Sequence, residues 1–495
     1  MHRIIFIWLI TSALVVSAPA QDTKIFDSFI QRALQATPMV PGIGVAVVKN
    51  GEVVMAQGYG YADIEAGLKA NGETSYYIAS VTKSFTGLLA LLLADEGLID
   101  LDAPLTTYKP FGQLKNKDVF AKITIRELLN HTSGIENDYI VFREAYTGDK
   151  SLEIMTMLLE EKTTLRKEGK TYRYDNLGYN IFGILLEAEF GKKWQDLLQE
   201  KVFSPLKMTR TSAYISRGEK KNWPMAWPYE GIVSMDPRRS ALMKNDDMMQ
   251  AAGGLICSPK DAANWIITYL NKGQLNGKQV IKPSIIEAAL QPTATSAREG
   301  DIFNDTGYGA GWITAQFGEQ KVNYHFGGFV GFFSHISIMP EKNIGIAVFA
   351  NENAFGDNVS NLIAAFIYDY YLGNVDAVDD YEDKIQALKQ RIADVQKNMQ
   401  NHYAKIAARE WKLELTKGAY AGTYFNKYVG TVEILEGSDE LHVTMGSMKA
   451  VATPFTEPNS IRVEFAGNGN AMQFEVKDGR VTTLNFEGDI FERVK

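Results

Sequence analysis

The chain has one cysteine, Cys257, so no disulfide can close within it. That residue ends the apolar run Gly254-Leu255-Ile256-Cys257 and reads as a small buried hydrophobe, not a reactive thiol. The six histidines show no His-x-x-x-His or other ligand spacing, which argues against a metal site; no cofactor is expected. No basic stripe interleaved with aromatics occurs, and with a formal charge of −8 this argues against nucleic acid as a partner. The run Ile4 to Val16 is too short to cross a bilayer and no other stretch reaches spanning length, so no membrane span is expected. Low-complexity segments are absent.

What stands at the N-terminus is Met1-His2-Arg3, the apolar run, then Ala18-Pro19-Ala20. A basic start, a short hydrophobic centre and an Ala-x-Ala end predict a secretory signal peptide over residues 1–20, cut after Ala20. The mature chain, at −9 once Arg3 is lost, is expected to be periplasmic or secreted. Hydrophobic residues at 45% and charged residues at 22% have a globular balance, and 495 residues predict two or more domains.

Ser80 stands three residues ahead of Lys83 in Tyr77-Ile78-Ala79-Ser80-Val81-Thr82-Lys83. Leu88 to Leu93 is strongly apolar and reads as a buried helix that Gly97 closes. Ser80 then lies at a helix start, with Lys83 one turn on and on the same face. A serine hydroxyl is a weak nucleophile until a base takes its proton. A partly desolvated lysine beside a helix N-terminus has its pKa pushed down and can be that base. The Ser80 N–H, unpaired at the helix start, can point at a developing oxyanion. A second Ser-x-x-Lys, Ser204-Pro205-Leu206-Lys207, has no long apolar helix after it and is not expected to be catalytic.

Two downstream segments give the Ser80 copy its weight. Tyr172-Arg173-Tyr174-Asp175-Asn176 precedes an apolar helix, Ile181 to Phe190. In an extended chain Tyr174 and Asn176 present a phenol and a carboxamide on one side. Tyr174 could relay a proton if a nearby ammonium lowers its pKa from about 10, and Asn176 could hold Lys83 and a substrate carbonyl. The plainer alternative is a capping turn, with Asp175 or Asn176 as N-cap. Third comes His325-Phe326-Gly327-Gly328, starting or flanking a strand pair formed by Phe332–Met339 and Ile344–Ala350. Its glycines would let a substrate backbone approach, and the Gly328 N–H could be a second oxyanion donor. Taken alone, it could equally be a Gly-rich strand end with a surface histidine.

The order Ser-x-x-Lys, Tyr-x-Asn, His-x-Gly resembles the serine β-lactamase and penicillin-binding-protein superfamily, and in particular its β-lactamase-related, class C-like branch of esterases and peptidases. Leu128-Leu129-Asn130-His131-Thr132-Ser133-Gly134 is similar to that family's Leu-Leu-x-His-Thr-Ser-Gly turn. Gly42 to Val48, with Asn50-Gly51 and Val53-Val54, is similar to its opening hairpin. The resemblance spans residues 30 to 370. It implies Ser80 as acylated nucleophile, Lys83 as activator, Tyr174 as proton relay, and Asn176 as positioner of lysine and acyl group. Substrate and oxyanion contacts would fall to His325, Gly327 and Gly328. Whether Lys83 or Tyr174 is the base is left open.

The chain departs from the family pattern in two places. No Lys-Thr-Gly or Lys-Ser-Gly occurs; His325-Phe326-Gly327 stands there, and a neutral pair would hold a penicillin carboxylate poorly. Asp175 replaces a small residue and is expected to face solvent, the alternative being attraction of a substrate ammonium.

These readings predict an α/β (α+β) fold: a β-lactamase-like antiparallel sheet flanked by helices plus a helical subdomain over residues 21–375, then a helical linker at 376–414. In the linker Ile385, Leu388, Ile392, Val395, Met399 and Ile406 form one stripe, either packed on the body or dimerising. From Gly418 apolar residues alternate with polar ones, as in Val432/Ile434, Leu441/Val443/Met445 and Ile461/Val463/Phe465. Residues 415–495 therefore read as a small antiparallel barrel, similar to the lipocalin-like domain of some β-lactamase-related peptidases. The expected activity is a secreted serine hydrolase acting through an acyl-enzyme on a peptide or amide, D-amino-acid and peptidoglycan-derived substrates among them, or on an ester. The rivals are a true β-lactamase and a non-catalytic cell-wall peptide receptor. The expected partner is a small-molecule or peptide substrate. A homo-oligomer through the 376–414 helix or the barrel is left open.

Overall fold

The computed structural model describes residues 18–147, 150–231, 236–300 and 302–494. Most of the expected signal peptide, residues 1–17, lies outside the described residues; the first helix, α1 (Ala18–Ala36), begins before the expected cleavage point.

Strands β1 (Gly42–Lys49) and β2 (Glu52–Asp63) form the opening hairpin. Asn50 and Gly51 turn it with φ of 54° and 76°, the left-handed pair that matches strand twist. A short β3 (Leu68–Lys69) follows. The chain returns to this sheet only much later, as β4 (Ala294–Arg298), β5 (Asn304–Tyr308), β6 (Ile313–Phe317), β7 (Gln320–Phe329), β8 (Phe332–Met339) and β9 (Ile344–Ala350). The order across the nine antiparallel strands is β4-β5-β6-β7-β8-β9-β1-β2-β3. The two ends of the domain therefore meet at the β1–β9 pair, where Val45 lies opposite Val348.

Strand alternation divides the core in two. Ile43, Val45 and Val47 point to the side covered by α1, α5 (Gly356–Leu372) and α6 (Ala377–Ala407). Ala46 and Val48 point to the other side, which holds α2 (Thr82–Asp95), α3 (Leu177–Phe190) and α4 (Pro259–Leu270). The Phe85 ring stacks on Trp265 at 3.8 Å, which clamps the start of α2 onto α4. Such a pair is worth about 0.5–1.5 kcal/mol beyond its buried area. Cys257 is buried, its thiol pushed up by desolvation.

The stripe on α6 is occupied within the chain. Ile385, Leu388 and Ile392 are buried against the core that includes α1 and α5, and Arg32 pairs with Glu382 at 3.0 Å. Beyond α6 the alternating segments form a second sheet of nine antiparallel strands between Gly422 and Arg493, nearly closed into a barrel. Its inward residues include Val432, Ile434, Leu441, Val443, Met445, Ile461, Val463 and Leu484, all buried. The barrel docks on the helix Asp138–Phe142 and the wide turn Arg143–Thr147. Arg143 Nη2 donates to Lys427 O at 3.1 Å, Ser447 N donates to Tyr146 O at 2.7 Å, and Tyr139 Oη donates to Asp489 at 2.8 Å. No helix among the described residues is long and apolar enough to cross a membrane.

Candidate active site

Ser80 sits in the middle of a tight 3-10 turn, Ala79–Val81, that runs straight into α2. Ala79 has φ of +43°, a conformation costing a non-glycine residue on the order of 1–3 kcal/mol. The surroundings enforce it. Ile78 N donates to Leu255 O at 3.0 Å, Ser334 Oγ donates to Ile78 O at 2.6 Å, and Ala79 is fully buried. The strained turn sets Ser80 at the mouth of the cleft.

Lys83 follows one turn later and is fully buried. Its Nζ lies 3.0 Å from Ser80 Oγ, 2.8 Å from Asn176 Oδ1 and 2.8 Å from Ala252 O. Burial pushes its pKa down to about 7, against a smaller upward pull from the Asp175 carboxylate. The neutral amine has two N–H groups and one lone pair. With the two N–H groups on Asn176 and Ala252, the lone pair is left facing the Ser80 hydroxyl, the arrangement of a base toward a nucleophile.

Tyr174 lines the same cleft as Ser80, and Lys83 Nζ sits 5.0 Å from its ring centre. The residue exposes 41% of its surface, and desolvation by the surrounding cleft walls raises its pKa. A raised phenol stays protonated where Lys83 is already losing its proton. Asn176 makes no capping bond at the start of α3; its carboxamide is spent on Lys83. Asp175 does the capping, accepting from Gly178 N at 3.2 Å. The expectation that Asp175 faces solvent is corrected: it is half-buried, because the turn needs its carboxylate at the helix start.

The Leu128–Gly134 turn has a role that its motif alone did not reveal. His131, fully enclosed, packs its ring 4.6 Å from that of Tyr174. Its Nδ1 accepts from Asp175 N at 3.3 Å, and its carbonyl accepts from Arg173 N at 3.0 Å. Burial and the Lys83 charge hold its pKa well below the usual imidazole range, so it is a neutral prop beneath the Tyr174–Asn176 segment.

His325, Gly327 and Gly328 lie inside β7 rather than at its start. His325 is 2% exposed, not a surface residue. Its Nδ1 lies 2.6 Å from Phe326 O and its Nε2 3.1 Å from Tyr308 Oη. Burial first, and the Lys83 charge second, lower its pKa to about 3. It is therefore neutral and supplies no cation where the family pattern has lysine. Gly327 runs against the Ser80 turn: a methyl group there would collide with Ile78 O and Ser334 Oγ and come within 2.9 Å of Ser80 N. Gly328, by contrast, opens toward space. Gly327→Ala should therefore cut kcat/KM by about 100-fold, the scale of losing one oxyanion donor, while circular dichroism stays native.

These residues open on a cavity of about 910 Å³, lined by Ser80, Tyr174, Asn176, His325 and Gly328 together with Met249 and Arg298. Arg298 holds Asp305 at 2.9 Å with 60% of its side chain exposed. No barrel residue lines the cavity among the described residues. The barrel instead braces its wall. Phe329, next to Gly328, packs edge-on to Tyr77 at 5.4 Å and belongs to the contact between body and barrel. The second Ser-x-x-Lys is structural: Ser204 Oγ donates to Gln199 O at 2.8 Å.

The Beta-lactamase family model matches residues 26–368. The chain belongs to the beta-lactamase family. The matched span holds Ser80, Lys83, Tyr174, Asn176 and His325 to Gly328, and ends before α6 and the barrel. Protein flp of Staphylococcus aureus strain N315 is 29% identical over 329 residues, 66% of this chain and 63% of that protein. The chain thus spans less than two thirds of the length of the flp relatives it matches. Among solved structures, the octameric penicillin-binding protein homologue from Pyrococcus abyssi superposes with a TM-score of 0.60 at 24% identity, covering 95% of this chain and 99% of that one. D-amino acid amidase from Ochrobactrum anthropi SV3 gives 0.56 at 20% identity, over 73% of this chain and 99% of that one. At these identities the likeness is one of fold. The beta-lactamase family is one of serine hydrolases and acyl transferases built on this sheet and helical region.

Proposed function

We propose that this protein is a secreted serine hydrolase that forms an acyl-enzyme on Ser80. The observation that carries the reading is the buried Lys83 amine, 3.0 Å from Ser80 Oγ, with its other two positions taken by Asn176 and Ala252. Ser80 Oγ attacks the substrate carbonyl carbon and its proton passes to the Lys83 lone pair. The oxyanion faces the N–H groups of Ser80 and Gly328. The tetrahedral adduct collapses, the bond to the leaving group breaks, and the Tyr174 hydroxyl protonates that group. The Lys83 ammonium restores the Tyr174 proton. Water then attacks the Ser80 ester and gives a proton to Lys83; the adduct collapses, the bond to Ser80 Oγ breaks, and the Lys83 ammonium returns that proton to the departing Oγ, leaving the acid and free Ser80.

The substrate class we propose is a peptide, amide or ester, with N-terminal D-residues or peptidoglycan fragments as the natural candidates. Neutral His325 offers nothing to a penicillin carboxylate, and the amide chemistry named for the Ochrobactrum relative is consistent with this. Purified protein should turn over D- or L-p-nitroanilides or p-nitrophenyl esters faster than a chromogenic cephalosporin. Fastest hydrolysis of the cephalosporin would mean a true β-lactamase; stable acylation with no turnover of any substrate would mean a receptor. Secretion rests on residues 1–20, and N-terminal sequencing of the exported protein should begin at Gln21. A mature chain still starting at Met1 would refute it.

A further inference from the structure

A second cavity, of about 270 Å³, lies beside the catalytic cleft. The two share a wall at consecutive residues: Met249 lines the cleft and Gln250 lines the second cavity. Three lining side chains carry a buried oxygen with no hydrogen-bond partner among the described residues: Glu144 Oε2, Asn180 Oδ1 and Gln195 Oε1. These residues are 4%, 2% and 3% exposed. A buried oxygen left unpaired is destabilising. Three at one cavity are a deficit of donors. Two of the nitrogens beside them are committed elsewhere, Trp194 Nε1 and Gln195 Nε2 donating to Gln250 Oε1 at 2.7 and 2.8 Å.

The charge has the same sense. Glu144, Glu187 and Asp247 line the cavity against Lys150 and Lys193, and Lys150 is 3.7 Å from Asp247. Burial pushes the Glu144 carboxyl up to about 7 despite the Lys150 ammonium near it. We infer that this cavity binds a small compound bearing a primary ammonium group. Such a head brings three N–H donors on one centre and a positive charge to set against Glu144. Water supplies donors without the charge, and an anion supplies neither. None of Glu144, Asn180 and Gln195 takes part in the chemistry at Ser80, so binding is separable from catalysis.

Calorimetric titration of the full chain tests this, with ethylamine and glycine as probes and acetate and propanol as controls. The amines should bind with a Kd of about 1 mM or tighter, and the controls should not bind. Glu144→Gln and Asn180→Leu, each checked for an unchanged melting transition, should weaken the amines at least about tenfold. Crystals soaked in ethylamine should show its nitrogen within hydrogen-bond reach of Glu144 and Asn180, a result that does not depend on either variant folding. The inference is overturned if neither amine binds, if both variants bind as the parent does, or if soaked crystals hold only water in the cavity.

Discussion

Ser80→Ala should lose turnover by on the order of 10⁴-fold or more on every substrate the parent hydrolyses, with an unchanged melting transition. In the proposed mechanism the alanine removes the atom that bonds to the acyl group, and no neighbour can replace it. Ser84 is fully buried and bonded to Val81 O at 2.9 Å, and Ser334 is bonded to Ile78 O. The fold should tolerate the change because Ser80 is only half-buried and its turn is held by Ile78, Leu255 and Ser334. Intact-mass spectrometry after exposure to a fluorophosphonate supplies the second readout: the parent gains the adduct and the variant does not. Retention of more than a few per cent of the parent rate would remove Ser80 from the mechanism.

The second large effect concerns the base. In the proposed mechanism the reactive form of Lys83 is the neutral amine, and burial pushes its pKa down to about 7. kcat/KM should therefore rise about tenfold per pH unit below 7 and level off above it. Lys83→Arg should remove that limb and about 10³-fold or more of the rate, because a guanidinium stays protonated throughout. Tyr174 cannot generate the limb, since its pKa is raised rather than lowered. The same shift bears on stability. Unfolded lysine titrates near 10.4, so between about 7 and 10.4 the unfolded chain binds the extra proton. The Lys83 contribution to stability is thus least favourable below pH 7 and improves as pH rises through that window. Urea midpoints of parent and Lys83→Met, compared at pH 7 and 9, should shift relative to each other in that sense. A flat rate profile, or a limb that persists in Lys83→Arg, would assign the base elsewhere.

Much of the molecule was legible in the chain because local rules carry it. Apolar runs mark α2 and α3, Asn50-Gly51 marks the first hairpin, and alternating residues mark the barrel strands. Asp175 was misread because capping competes with solvent exposure at a helix start, and the single carboxylate satisfies the Gly178 N–H. His325 was open to a surface reading because β7 looks like a strand end, while its burial is imposed by Tyr308 and neighbouring rings. The Leu128–Gly134 turn marks His131, but its partner Tyr174 lies more than forty residues away, and no local signal joins them.

The sequence by itself determined which reactive groups exist, and that an alcohol, an amine, a phenol and a carboxamide stand at helix starts where short turns present them. Tertiary structure alone decided their chemical states. Removal of water around Lys83 by Ala252, Asn176 and the packed helices turns an ordinary ammonium into an amine poised near neutrality. The same packing keeps His131 and His325 neutral and the Tyr174 phenol protonated. The physical reason is that solvation energy depends on every atom nearby, whatever its distance along the chain.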